Sequence, residues 1–184
     1  LQTFFHNPIA GPFTLGISSG AKLVVALVMV ASLGNALRLS SWVMIAAAFA
    51  GAMICMGFVI LMSSVIEQMA MLIVSGVMIG YICSAVTDFI VTFAEDADIV
   101  NLHNWSKGSF SGMTWENVKV MVLVTGIASI GVFLLSKPIS AYEMGEAYAA
   151  NMGLNVKVFR VLLVLLSSVL AACVTAFAGP VSFV

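Results

Sequence analysis

The chain has 184 residues, of which 62% are hydrophobic and 8% are charged, and its formal net charge is −1. A soluble domain carries about 25% charged residues, so this composition excludes a protein whose whole surface faces water. Continuous apolar runs of about 18 or more residues mark transmembrane helices, and several such runs occur here. We therefore expect the lipid bilayer to surround the chain and expect no nucleic-acid partner.

Five apolar stretches are predicted to be membrane helices, at approximately 14–33, 42–63, 67–94, 115–136 and 157–178. About 20 residues cross a hydrocarbon core of about 30 Å, so the third stretch is long enough to tilt or to extend beyond the bilayer. The runs are uniformly apolar and much longer than the roughly 9–11 residues of a membrane strand. The predicted fold class is all-α, a polytopic bundle in which residues 1–184 belong to a single transmembrane domain.

Both ends of the chain indicate an internal piece of a longer protein. The first residue is Leu1 rather than Met, and the last four residues, "VSFV", stop before any polar segment. We therefore expect a larger multi-pass membrane protein around this piece.

Small residues recur at the spacing used in helix packing. Gly16 and Gly20 form one GxxxG motif, and Gly76 and Gly80 form another. Such residues allow membrane helices to approach closely, so they predict a tightly packed bundle. The three cysteines lie in separate apolar segments without metal-binding spacing and are predicted to be buried packing residues.

The connections between the helices differ in character. If the helices alternate in direction, residues 1–13, 64–68 and 137–160 share one side of the membrane, which the positive-inside rule narrowly favours as cytoplasmic. The connection at 95–114 lies on the other side, is long and leans acidic.

No catalytic centre, cofactor or metal site is predicted. The segment "GISSG", residues 16–20, matches the GxSxG nucleophile elbow, but a membrane helix follows it and His103 falls on the opposite side. His6 and His103 are isolated and form no metal-binding cluster. Asp88 is a functional candidate because ionisable residues inside membrane segments are costly. Its place near the end of the third stretch favours contact with the membrane interface over a role in a transport path.

A polar island interrupts the apolar chain at residues 137–160, "KPISAYEMGEAYAANMGLNVKVFR". Pro138 ends the incoming helix, and the segment after it favours one or two short helices with a stop at Gly153. An apolar face is formed by Met144, Ala147, Tyr148 and Met152. That face would lie on the membrane surface or dock in a groove of another protein, and the two options stay open. The cations of "NVKVFR" are expected at headgroup level.

Four ordered sequence blocks resemble one transporter family. "LQTFFHNPIAGPFTLGISSGA" is similar to the "LQ…NPLAxPxxLGxSxGA" signature of FecCD-type permeases, the membrane subunits of ABC importers for iron–siderophores, haem and vitamin B12. "GSFSGMTWENV", "GEAYAANMGLNV" and "AGPVSFV" resemble three further blocks of that family in the same order. The blocks extend over almost the whole chain, so the match is specific.

The resemblance implies an importer subunit without enzymatic activity of its own. The parent would be a permease of about ten helices in a prokaryotic plasma membrane, importing an iron–siderophore first, with haem or cobalamin as alternatives. Its partners would be a cytoplasmic ATP-binding subunit, a second permease subunit in a homo- or heterodimer, and an extracytoplasmic substrate-binding protein. The loop 137–156 would form coupling helices that seat in the ATPase.

The resemblance also assigns roles to individual residues. The ATPase-coupling residues would be Glu143, Gly145, Glu146, Ala149, Gly153 and Asn155. The substrate path or its gate would include Asp88, Ser109, Ser111 and Trp115. The structural motif residues would be Asn7, Pro8, Gly16, Gly20, Gly179 and Pro180. The main rival is a secondary transporter driven by an ion gradient, which should show broken helices and ion ligands at the membrane midplane.

Overall fold

The computed structural model describes residues 11, 13–32, 41–66, 69–94, 96–110 and 113–180. These residues form eight α helices after a single 3₁₀ turn at Phe13–Leu15. The helices are α1 (Ile17–Ser32), α2 (Ser41–Val65), α3 (Met69–Val91), α4 (Asp96–Lys107), α5 (Trp115–Leu134), α6 (Ser136–Glu143), α7 (Glu146–Asn151) and α8 (Val156–Ala178). The described part of the chain contains no strand, which confirms the predicted all-α class.

Four of the described helices are long and apolar enough to cross a membrane, namely α2, α3, α5 and α8. In hydrocarbon, every backbone N–H and C=O must find a partner, and a helix provides these partners within one segment. The apolar part of α1, Ile17–Ala31, is shorter than the other four spans. The described residues therefore provide four long apolar helices and the shorter apolar segment of α1.

The short helix α1 lies at the centre of the bundle, where it packs against α2, α3, α4 and α8. Ala21, Val25 and Ala26 on this helix are completely or almost completely buried. Its first turn lies beside Gly80, near the middle of α3. Helix α1 therefore begins part-way along α3 and buries one face against its neighbours.

Glycines bring the backbones of three helices into contact. A Cβ atom on Gly20 of α1 would lie 2.7 Å from the carbonyl oxygen of Gly51 in α2. A Cβ atom on Gly16 would lie 3.0 Å from the carbonyl oxygen of Gly76 and 3.2 Å from the Cα atom of Gly80, both in α3. Side chains at these positions would force the helices apart, so the structure confirms the tight packing that the GxxxG spacing predicts.

The three cysteines are free and buried, as predicted. The Sγ atoms of Cys55 in α2 and Cys83 in α3 lie 3.5 Å apart. The Cys55 side chain also occupies the space beside Gly20. The side chains of Cys55 and Cys83 therefore fill the junction of α1, α2 and α3.

The acidic connection between α3 and α5 is more ordered than the sequence indicated. Instead of a plain loop, residues Asp96–Lys107 form the 12-residue helix α4. Leu102 is almost fully buried, and the partly buried Trp105 packs against the core. Lys107 lies in the last turn, where a positive charge interacts favourably with the helix dipole. Tertiary packing on α1 provides a partner for this short helix, and local sequence alone does not reveal that packing.

Helices α2 and α8 pack along each other in opposite directions. The guanidinium of Arg160, near the start of α8, donates a hydrogen bond of 3.4 Å to the carbonyl oxygen of Ser63, near the end of α2. The end of α2 and the polar loop before α8 therefore lie at the same end of the bundle, as alternating helix directions predict.

We predict that Gly51→Ala destabilises the bundle and that Gly57→Ala on the same helix does not. A methyl group at Gly51 would collide with the backbone of Gly20, whereas one at Gly57 would meet nothing within 4 Å. Overpacking costs about 1–3 kcal/mol, while alanine in an open helical position gains up to about 1 kcal/mol over glycine. Thermal unfolding of the full-length protein in detergent tests this, and equal melting temperatures of the two variants would contradict it.

Candidate functional site

The polar island forms two short helices, α6 and α7, between α5 and α8. Helix α5 ends at Leu134, and Pro138 lies in the first turn of α6. A proline at position 138 cannot donate to the carbonyl of Leu134, so α5 cannot continue through it. In the first turn of α6 the missing N–H has no intrahelical partner to lose. The helix is therefore interrupted at Leu135, shortly before Pro138, as the sequence predicts.

Two glycines with positive φ set the ends of α7. Gly145, at φ 115°, separates α6 from α7 and occupies the position before the first helical residue. Gly153, at φ 86°, follows the helix, where its N–H donates to Ala150 and the N–H of Leu154 donates to Ala149. This pair of hydrogen bonds is the Schellman motif, which strongly favours glycine at the position of Gly153. The stop predicted at Gly153 is confirmed.

Arg160 connects the polar loop to two membrane helices. It is only 9% exposed although it lies in the second turn of α8. Its Nη2 atom is 3.6 Å from Oε1 of Glu146 in α7, and its Nη1 atom donates to the carbonyl oxygen of Ser63 in α2. A buried charge requires a partner, and Glu146 provides one. The expected position of this cation at headgroup level stays a prediction.

Tyr142 completes this cluster from α6. Its side chain is 2% exposed, and its ring lies 5.4 Å from the ring of Phe159 in α8. Burial raises the pKa of the Tyr142 hydroxyl above its usual value, the Glu146 carboxylate raises it further, and the Arg160 guanidinium acts in the opposite direction. The hydroxyl therefore stays protonated at neutral pH and anchors α6 to the start of α8.

A cavity of about 450 Å³ opens beside the Arg160–Glu146 pair. It lies between the end of α2 and the start of α8, and Ser63, Lys157 and Arg160 contribute to its lining. The contacts of Arg160 with Glu146 and Ser63 form the joint between the loop and the bundle. The space beside this joint is therefore not completely filled by side chains.

The opposite side of the loop presents an apolar face to its surroundings. Met144, Tyr148 and Met152 are 71%, 47% and 64% exposed. Together with Lys137 and neighbouring residues of α6, they line a shallow groove of about 340 Å³. The loop thus has an inner face, joined to the bundle through Tyr142 and Glu146, and an outer face of flexible apolar side chains that nothing in the described chain covers.

The predicted ATPase-coupling residues fall into two groups: some hold the loop to the bundle, and others are exposed. Ala149 is fully buried, and the Asn155 side chain accepts a hydrogen bond of 3.2 Å from the N–H of Val158, which caps α8. Glu146 is 54% exposed and pairs with Arg160. Glu143 and Gly153 are exposed, and a Cβ atom on Gly153 would meet nothing within 4 Å. Contact of these residues with an ATPase stays a prediction.

Three of the four residues predicted to line the substrate path lie within the described chain, and they belong to different elements. Asp88 is exposed near the end of α3, and Trp115 is exposed at the first position of α5. The backbone N–H of Ser109 donates a hydrogen bond of 2.8 Å to the carbonyl oxygen of Ala178 at the end of α8. Ser111 lies outside the described residues, so the set remains a prediction.

The sequence blocks that contain Gly108 and Gly179 meet in space. Gly179, at φ 76°, follows α8, and a Cβ atom on it would lie 2.6 Å from the carbonyl oxygen of Trp105 and 2.9 Å from the Cα atom of Gly108. The "AGP" block therefore packs directly on the end of α4, and Pro180 follows it. Of the other motif residues, Gly16 and Gly20 lie at the glycine contacts of α1, whereas Asn7 and Pro8 fall outside the described residues.

Sequence reasoning missed the cluster of Arg160, Tyr142 and Ser63. A signal was present, because an arginine in an otherwise apolar helix needs a partner, and Glu143 and Glu146 are the nearby acids in the preceding loop. The choice between those acids depends on the turn at Gly145. The carbonyl of Ser63 has no sequence signature at all.

The chain is similar to known membrane transport proteins over its whole length. The sequence model of the FecCD transport family matches residues 1–184. The chain is 34% identical to the vitamin B12 import system permease protein BtuC of Yersinia enterocolitica, with coverage of 100% of this chain and 54% of that protein. It is 35% identical to the protein of the same name from Serratia proteamaculans, with the same coverage.

A solved structure shares the fold. A metal-chelate type ABC transporter in an inward-facing conformation superposes with a TM-score of 0.85 at 23% identity, covering 97% of this chain and 56% of that chain. The chain thus spans about half the length of the curated relatives and of the solved structure that it matches.

We predict that Gly179→Ala destabilises the protein more than Gly145→Ala. Both glycines adopt a positive φ with extended ψ, a region that costs other residues about 1–3 kcal/mol. Only Gly179 also touches another backbone, since a Cβ atom on Gly145 would meet nothing within 4 Å. The extra overpacking should lower the free energy of unfolding by a further 1–3 kcal/mol, approximately.

Thermal unfolding of the two full-length variants in the same detergent measures this difference. A Gly145→Ala variant that melts at or below the temperature of Gly179→Ala would contradict the close approach of the "AGP" block to α4.

Proposed function

Because this chain belongs to the FecCD transport family, we propose that it forms part of the membrane-spanning permease of an ATP-driven importer. The permease would lie in the inner membrane of a prokaryote and carry a bulky metal chelate into the cytoplasm. ATP hydrolysis would take place on a separate cytoplasmic subunit. The observation that carries the proposal is the polar loop of α6 and α7, which is anchored to the bundle on one face and exposes apolar side chains on the other.

The outer face of the loop has the properties of a protein-docking surface. Met144, Tyr148 and Met152 expose apolar area next to Lys137, and complete burial of a fully exposed methionine side chain gains about 1.5–3 kcal/mol. Methionine is adaptable and suits a surface that must repack during movement. Gly153 has open space around it, so the backbone of a partner can come close. These features favour the ATPase over a lipid surface as the occupant.

The rest of the proposed assembly follows from the same family assignment. A second permease subunit would pair with this one, and a substrate-binding protein would deliver the chelate from the extracytoplasmic side. Helix α5 supports the need for further partners or further chain, because only 11% of its span is buried in the described structure. Lipid or additional protein must cover the remainder.

For the substrate, we place cobalamin ahead of a ferric siderophore or haem. The relatives from Yersinia enterocolitica and Serratia proteamaculans are named for vitamin B12 import, at 34% and 35% identity. This order reverses the preference for iron–siderophores that the family resemblance alone suggested. All three substrates are bulky metal chelates, so the proposed class is the same.

One observation favours the alternative, a secondary transporter driven by an ion gradient. Helix α1 begins beside the middle of α3, and helices that begin near the membrane midplane form the ion and substrate sites of such transporters. The Ser19 and Ser84 hydroxyls form a 3.2 Å hydrogen bond beside this position, next to a cavity of about 210 Å³. A requirement for ATP separates this alternative from the importer.

We predict that Gly153→Arg prevents binding of the cognate ATPase, whereas Gly153→Ala retains it. Both variants place a side chain at φ 86° and therefore share the backbone strain, which costs about 1–3 kcal/mol. Only arginine adds bulk and charge at the proposed contact. Co-purification of the ATPase with the full-length protein in detergent is the measurement, with size-exclusion chromatography to verify folding. An ATPase that binds both variants equally would contradict docking at this loop.

We also predict ATP-dependent uptake of cyanocobalamin by proteoliposomes that contain the full-length protein, its ATPase and its binding protein. Ferrichrome serves as the competing probe. Uptake of ferrichrome but not cyanocobalamin would leave the importer in place and reverse the substrate order. Uptake driven by an ion gradient without ATP would instead establish the secondary transporter.

A further inference from the structure

Arg160 is the point at which the loop, α8 and α2 are joined by polar contacts. One terminal nitrogen of its guanidinium faces Glu146 in α7 at 3.6 Å, and the other donates to the carbonyl oxygen of Ser63 at 3.4 Å. The side chain is nine-tenths buried. The planar guanidinium presents several donors in fixed directions, which a lysine does not, so it can hold both partners simultaneously.

The contact with Ser63 has a specific physical basis. The last four carbonyls of a helix have no partner within that helix, and Ser63 belongs to this group in α2, which ends at Val65. The C-terminal end of a helix carries a partial negative charge that a cation stabilises. Arg160 therefore neutralises the end of α2 and the carboxylate of α7 together, and loss of its charge would leave both without this partner.

We propose that Arg160 is a positioning residue that transmits displacement of the loop helices α6 and α7 to α2. The proposal rests on the proposed function, because the ATPase would supply the displacement. From α2 the movement reaches the centre of the bundle, since Gly51 of α2 is in backbone contact with Gly20 of α1. The cavity of about 450 Å³ beside the joint provides room for α2 and α7 to shift while the contacts of Arg160 persist.

The neighbouring cation Lys157 provides a matched comparison. It lies one turn before Arg160 on α8 and lines the same cavity, but it is exposed and, among the described residues, forms no ion pair. Removing its charge changes the electrostatics of the cavity without touching the joint.

The test compares Arg160→Gln with Lys157→Gln in the full-length permease, assembled with its ATPase and binding protein in proteoliposomes. The quantity measured is the number of ATP molecules hydrolysed per cyanocobalamin or ferrichrome molecule imported, whichever the wild type carries. Arg160→Gln should raise this ratio at least about fivefold, the lower end of the range for coupling between distant sites. Assembly with the ATPase should persist, and Lys157→Gln should keep the wild-type ratio.

Glu146→Gln provides a second route to the same joint if Arg160→Gln does not fold. This residue is half-exposed, so its replacement removes the ion pair from the outside and leaves the Ser63 contact in place. Measured on complexes isolated with the ATPase bound, it should raise the ratio in the same direction by a smaller factor. Arg160→Lys should recover part of the coupling, because lysine restores the positive charge but has no second nitrogen with which to contact Glu146 and Ser63 simultaneously.

Three outcomes would overturn the proposal. A wild-type ratio in either Arg160→Gln or Glu146→Gln complexes would show that the joint does not transmit movement. An equal rise in Lys157→Gln would show a general charge effect of the cavity. Loss of the ATPase from a folded Arg160→Gln variant would make the residue part of docking instead. By contrast, import of substrate by the wild-type protein without ATP would contradict the proposed function itself.

Discussion

The close approach of glycine backbones at the centre of the bundle is the contact on which the rest of the structure depends. Within a bilayer, helices gain little from burying apolar side chains against each other, because lipid is equally apolar, so association relies on close packing. Gly20 against Gly51 and Gly16 against Gly80 supply that packing. They hold α1 between α2 and α3.

Burial of charge is the second constraint, and it determines how the polar loop is attached. Arg160 is only 9% exposed, so its charge must be paired. The pairing with Glu146 fixes α7, while the hydrogen bond to the carbonyl of Ser63 fixes the end of α2. Tyr142 contributes a protonated hydroxyl and ring packing on Phe159. The loop is consequently a structured extension of the bundle with a defined orientation.

That orientation separates an inner face of the loop, held to the bundle, from an outer face that a partner could bind. The proposed function depends on this separation. The inner face is held by Tyr142, Ala149 and the Arg160 pair, while the outer face presents Met144, Tyr148 and Met152. A partner that seats on the outer face and moves would displace the inner face with it. The joint leads from there into α2 and then to α1 through the glycine contact, so a route of direct contacts connects the loop to the centre of the membrane domain.

The sequence by itself determined the all-α membrane class, the break before α6 and the stop after α7. Each depends on local chemistry: long apolar runs, the missing N–H of Pro138 and the positive φ of Gly153. Only the tertiary structure decided that α1 is central, that α4 is a helix, and that Arg160 pairs with Glu146 and Ser63. The last contact joins residues 97 positions apart. Such pairings are set by how whole helices pack against one another, and neither spacing nor propensity within one segment specifies them.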